Sequence, residues 1–187
     1  LLLILRNYKI SNFLGINKLL EINEKNILLN GKNLINNNII NFPNEIEKHE
    51  VKIFSQSGED GIIQFILSKI KSKNRSFIEF GCENYLESNT RYLLFNNNWK
   101  GLIIDGDINN INEIKESYYF WKHELTAISN FISKENIREI INNYGFQNNL
   151  GILSIDIDGN DYWILKELKD IYPDVIICEY NSLLGSQ

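Results

Sequence analysis

Short, continuous apolar runs alternate with amphipathic stretches along most of this chain. From Ser55 onward the periodicity is strong: SQSGED offers Ser57 as a helix N-cap with Asp60 three residues later, and Ile62, Ile63, Phe65, Ile66, Leu67 and Ile70 follow at helical spacing. Beyond that helix come SFIEF, a helix from about Tyr85 to Asn97, GLIIDGD, a helix near Asn109 to Ser117, and WKHELTAI. A helix near Lys134 to Asn143, the run LGILSIDID, a helix from about Asp161 to Asp170, and DVIICEY complete the series. FIEF, LIID, LGILSID and VIICEY do not alternate polar with apolar, as expected of strands covered by helices on both faces. Such alternation of strand and helix predicts right-handed β-α-β units, a parallel sheet and an α/β fold.

Residues 1–50 read differently. Short apolar runs mix with Asn-rich pieces such as NLINNNII, and Pro43 punctuates them just before the pattern changes. This predicts a weakly specified N-terminal arm ahead of one domain covering residues 51–187. The chain stops soon after the fifth predicted strand, leaving a sheet edge that a complete fold would extend or cover, so the domain is expected to be truncated there.

Composition narrows the function classes. A chain of 187 residues with 43% hydrophobic and 23% charged residues can bury a real core. A net charge of -5 and a pI near 5.2, without a basic stripe, argue against nucleic acid as a partner. No run approaches the roughly 20 apolar residues of a membrane span, and the opening LLLIL is too short for a signal-peptide core. Two cysteines, Cys82 and Cys178, cannot build a disulfide framework, which fits a reducing, cytoplasmic setting. His49 and His123 lack partners at metal-ligand spacing, so no metal site is expected.

The chemistry-bearing residues gather at predicted strand ends. Glu79 and Gly81 close the first strand, Asp105 and Asp107 the second, Asp156 and Asp158 the fourth, and Glu179, Tyr180 and Asn181 the fifth. Open parallel sheets bind ligands outside the carboxyl ends of their strands, where strand order reverses. Acids at several ends repel one another unless a cation or a hydroxyl-rich ligand compensates. Asp105 also follows Glu79 at close to the roughly 20-residue interval at which nucleoside-binding units place the carboxylate that accepts ribose hydroxyls. The first turn, EFGCENYLES, has one glycine and lacks the G-x-G-x-x-G that admits a pyrophosphate, which argues against NAD and FAD. A nucleoside without phosphates needs no such cradle, and a sulfonium cation would favour an acid-rich rim.

The runs FSQSGEDGIIQFI, FIEFGCENYLESNTRYLL, WKGLIIDGD and LSIDIDGNDYWILKEL, in that order from about Phe54 to Asn181, resemble the FkbM-type branch of class I S-adenosylmethionine-dependent methyltransferases. The resemblance implies a Rossmann-like, doubly wound parallel sheet of the class I methyltransferase type. It implies that Glu79 and Gly81 belong to the first cofactor motif and that Asp105 holds the ribose. By the same resemblance Leu125 to Ala127, with Thr126 at their centre, lie near the adenine, and Asp156 and Asp158 face the methionine part or the acceptor. The acceptor would be a hydroxyl group on a sugar or another small metabolite, and Asp158 or Asp161 would accept its proton.

Two readings of SQSGED stay open: Gln56 and Glu59 border the cofactor, or the segment only caps its helix. Asn89, Thr90 and Arg91 read as helix surface or packing, with Arg91 able to pair with a carboxylate. Tyr162 and Trp163 follow the acidic loop and could line an acceptor pocket. The D-x-D of IDIDGND also resembles the nucleophile motif of haloacid-dehalogenase phosphatases and the metal-binding motif of nucleotide-sugar glycosyltransferases. A non-catalytic Rossmann-like module is the third alternative.

Overall fold

A computed structural model describes residues 15–146, 148–157, 159 and 161–178. Five parallel strands form one sheet: β1 (Ser76–Phe80), β2 (Lys100–Asp105), β3 (Leu125–Ser129), β4 (Ile152–Ile155) and β5 (Val175–Cys178), in the spatial order β3-β2-β1-β4-β5. The chain runs outward from β1 to β3 on one side, then crosses back to place β4 on the other flank of β1. Strand order therefore reverses between β1 and β4. The architecture is α/β and Rossmann-like.

Side chains of each strand alternate between two cores. Phe77, Ile103, Ala127 and Ile152 pack on one face with Leu93 and Leu94 of α3 (Arg91–Asn97) and Ile111 and Ile114 of α4 (Ile108–Glu116). Ile78, Phe80, Leu102, Ile104, Leu153 and Ile155 pack on the other with Ile137, Ile140 and Ile141 of α5 (Ile137–Asn143) and Ile164 of α6 (Asp161–Glu167). Central strands buried from both sides require apolar residues at every position, which explains the unbroken runs. Glu79, Asp105 and Ser154 are the buried polar exceptions, and Glu79 and Ser154 pair in register near the carboxyl end of the sheet.

Three local predictions are corrected. The N-terminal arm contains a 26-residue helix, α1 (Ile16–Asn41), entered through Gly15 at φ 67. Tertiary packing makes it so: Ile35 joins Val51, Phe54 and Tyr92 in a third core, and Gly31 lies so close to Ile53 that a Cβ there would meet its side chain at 2.3 Å. The helix predicted from Tyr85 begins only at Arg91, because Glu83 and Tyr85 take positive φ values of 45 and 63. Finally, α2 (Glu59–Ile70) is preceded by Gly58 in a left-handed conformation, so Ser57 is not its cap. Asp60 pairs instead with Ser55: its amide donates to Ser55 Oγ at 3.0 Å, and Ser55 Oγ donates to its Oδ2 at 2.9 Å.

Candidate functional site

At the carboxyl ends of the strands, over the point of strand reversal, lies a cleft of about 1180 Å³. Gln56, Ser57 and Glu59 form one side of it, and the β1 end with the loop that follows contributes Glu79, Gly81, Glu83, Glu87, Ser88 and Asn89. Asp105, Gly106, Asp107 and Ile108 line it from β2, Asn130, Phe131 and Ile132 from β3, Asp156 and Ile157 from β4, and Ile177 and Cys178 from β5.

Glu79 is 3% exposed, and its oxygens organise the loop that walls the cleft. Oε2 accepts from Ser88 Oγ at 2.6 Å and from Thr90 Oγ1, and Oε1 accepts from the Asn89 amide at 3.0 Å. Burial pushes its carboxyl above the usual value, against the pull of these hydrogen bonds. Arg91 holds the same loop from behind: Nη1 donates to the carbonyls of Tyr85 and Leu86, both at 3.1 Å, and Nη2 pairs with Glu24 of α1 at 3.0 Å. With its backbone groups claimed by these side chains, the segment before Arg91 has no reason to coil into a helix.

Gly81 has φ 71, and its amide donates to the Ile104 carbonyl at 3.0 Å. A Cβ there would stand 1.7 Å from the Asp156 carbonyl oxygen. The glycine is thus demanded by the crossing of the β1 and β4 ends rather than by a phosphate group.

Asp105 ends β2 and is 9% exposed. Its Oδ1 accepts from the Asp107 amide at 2.8 Å and from Asn110 Nδ2 at 3.1 Å, whereas among the described residues Oδ2 accepts only from the Glu83 amide, at 2.8 Å. A carboxylate has about four acceptor sites, so Oδ2 retains one for a ligand hydroxyl. Asp107 caps α4 by accepting from the Asn109 amide at 2.8 Å.

The geometry thus brings Gln56, Glu59, Glu79, Gly81, Asp105, Asp107 and Asp156 to one cleft. Thr126 is a correction. It pairs in register with Leu102, while Asp105 pairs with Ser129, so Thr126 sits three residues inside β3 and away from the rim. The strand runs on to Ser129, and the residues that reach the cleft beyond it are Asn130 and Phe131. Asp161 opens α6 and accepts from the amides of Ile157 and Gly159, both at 3.2 Å, without lining the cleft. Asp158, Glu179, Tyr180 and Asn181 lie outside the described residues. Glu87, Ser88 and Asn89 were not expected in the cleft, because the sequence pattern placed them on a helix, and Glu83 of the first turn joins them there.

Charge is the dominant property of this site. Glu59, Glu79, Glu83, Glu87, Asp105, Asp107 and Asp156 line it, and among the described lining residues there is no lysine, arginine or histidine. Lys52 touches only the rim, pairing with Glu87 at 3.1 Å. A cleft of one sign focuses potential and favours a cationic ligand. Among the described residues no group of three histidine, cysteine or acidic side chains is placed to hold a metal ion, and no helix is long and apolar enough to cross a membrane. Fold and site together define a Rossmann-like α/β protein with an acid-lined cleft at its topological switch point. Comparison of the chain with protein-family profiles, curated proteins and solved structures gives no match.

Proposed function

We propose that this protein is an S-adenosylmethionine-dependent methyltransferase acting on a hydroxyl group of a small-molecule or glycan acceptor. The observation that carries the reading is a cleft at the strand reversal whose charged lining residues, among those described, are all acids, combined with a first turn unsuited to pyrophosphate. The donor fits these residues: it bears a net positive charge and no phosphate, and its ribose would find the remaining acceptor site on Asp105 Oδ2. When bound, it supplies an electrophilic methyl carbon on a sulfonium.

The chain's own residues would hold and orient. Asp105 accepts from the ribose, and Phe131, 81% exposed at the cleft edge, offers a ring face to the adenine. The acidic lining favours the sulfonium and disfavours phosphorylated competitors. The methyl group would pass from the sulfonium to the acceptor oxygen, leaving the thioether, and a carboxylate of the 156–161 segment would take the acceptor proton. Asp158 and Asp161 are the assigned candidates, with Asp161 first having to release the amides it now holds. Alignment of donor and acceptor in such a cleft contributes on the order of 7 to 11 kcal/mol in favourable cases. One buried and one exposed free thiol, Cys82 and Cys178, support a reducing cytoplasmic setting.

Isothermal titration tests the reading. S-adenosylmethionine and S-adenosylhomocysteine should both bind, the cation more tightly at low salt, and Asp105→Ala should abolish the heat of each. No binding by the wild-type protein removes the methyltransferase assignment.

A further inference from the structure

Asp60 is 1% exposed, yet its Oδ2 gathers three consecutive backbone amides, those of Ile53 at 2.8 Å, Phe54 at 2.6 Å and Ser55 at 2.8 Å, together with Ser55 Oγ at 2.9 Å. Its Oδ1 is buried without a hydrogen-bond partner among the described residues. An ordinary helix cap needs neither a buried charge nor three converging amides, since an exposed serine or asparagine suffices. Successive amides closing on one oxygen form a nest, which fixes the backbone that builds it. The next residues along the chain, Gln56, Ser57 and Glu59, line the cleft.

The fixed segment also reaches the opposite wall. Val51 and Gly58 close its ends through an amide-to-carbonyl bond of 3.1 Å, and the Phe54 carbonyl accepts from the Ser88 amide at 3.0 Å. Ser88 in turn donates to Glu79. A continuous polar seam therefore runs from buried Asp60 through residues 53–55 to Ser88 and Glu79, which themselves line the cleft.

We propose that Asp60 is a positioning residue for this cleft: its carboxylate sets the 53–55 backbone, and through it the Gln56–Glu59 wall and the Ser88 end of the facing loop. As a role in donor binding, this rests on the methyltransferase reading above. The effect on ligand is indirect, because Asp60 does not itself line the cleft.

Two measurements on Asp60→Asn test it, with Ile63→Ala, about one turn further along α2 and also buried, as the comparison. Hydrogen exchange reads the nest without any ligand. The amides of Ile53, Phe54 and Ser55 should be protected in the wild type and should exchange at least a hundredfold faster in Asp60→Asn, while those of β1 stay protected. Affinity for S-adenosylhomocysteine, measured below both melting temperatures, should fall at least tenfold in Asp60→Asn and less than twofold in Ile63→Ala. Unprotected wild-type amides at 53–55, unchanged affinity in Asp60→Asn, or equal losses in both variants would overturn the proposal. If Asp60→Asn does not fold, Ser55→Ala, which removes one donor and leaves the three amides, should give a smaller change of the same kind. Should the wild type bind no S-adenosylhomocysteine, the methyl-donor reading fails, and the exchange data alone then decide whether Asp60 sets the wall.

Discussion

Replacing Arg91 with methionine is the sharpest test of how the cleft is held. The guanidinium lies between Phe54, Phe95 and Tyr119, 4.5 to 5.2 Å from their ring centres, and its side chain and that of Glu24 are 8% and 15% exposed. Methionine fills much of that space but leaves the Glu24 carboxylate and the carbonyls of Tyr85 and Leu86 without their donor. Removing one partner of a buried pair destabilises by about 3–5 kcal/mol. At about 2–4 °C per kcal/mol for a chain this long, the melting temperature should fall by about 6–20 °C. Burial already pushes the Glu24 carboxyl above its usual value, despite the attraction of Arg91. The orphaned acid will therefore protonate as pH falls, and the deficit should shrink between neutral pH and pH 5. Adding Glu24→Gln should restore part of the loss, giving a coupling of about 0.5–3 kcal/mol in a double-mutant cycle by urea unfolding. Arg91→Lys should not rescue, since one ammonium cannot replace a planar fork that spans three acceptors. A loss under about 1 kcal/mol for Arg91→Met, or strict additivity with Glu24→Gln, would refute this account of the loop.

Gly81→Ala should destabilise by at least about 2 kcal/mol and weaken donor binding, since its Cβ would collide with the Asp156 carbonyl at a positive φ; a neutral result by thermal unfolding would contradict the crossing of β1 and β4. Glu79 supplies a pH test. Its carboxyl is raised by burial, so its contribution to stability is fully present below its unfolded value near 4.3 and is lost as pH rises through the higher folded value. The melting temperature of the wild type relative to Glu79→Gln should therefore fall as pH rises from 4 to 7, and an opposite trend would show that hydrogen bonding outweighs desolvation. Asp107→Ala should lose about 0.5–2 kcal/mol through the α4 cap, measured by urea unfolding, without disturbing the sheet.

The outline of the central sheet was legible in the chain because burial on both faces leaves a direct trace: β1, β2 and β4 read as almost unbroken apolar runs where helices cover both sides, whereas VIIC of β5 is equally apolar yet exposes Ile176 and Cys178. The clustering of Glu79, Asp105 and Asp156 was legible for a related reason, since parallel connections put every carboxyl end at the same edge. Contacts between residues distant along the chain had no such trace. Local pattern makes residues 85–97 one helix, but Glu79 and Arg91 reach back to seize the loop, and only from Arg91 does the helix proceed. Local pattern likewise gives Ser57 the cap, while the folded chain hands that task to Ser55 and buries Asp60 behind the cleft. Residues 16–41 have weak periodicity, and it took Val51, Phe54 and Tyr92 to give their helix a place to bind. Periodicity reports how a segment meets the core, whereas a buried carboxylate draws its donors from wherever the fold brings them, and only the tertiary structure decides which those are.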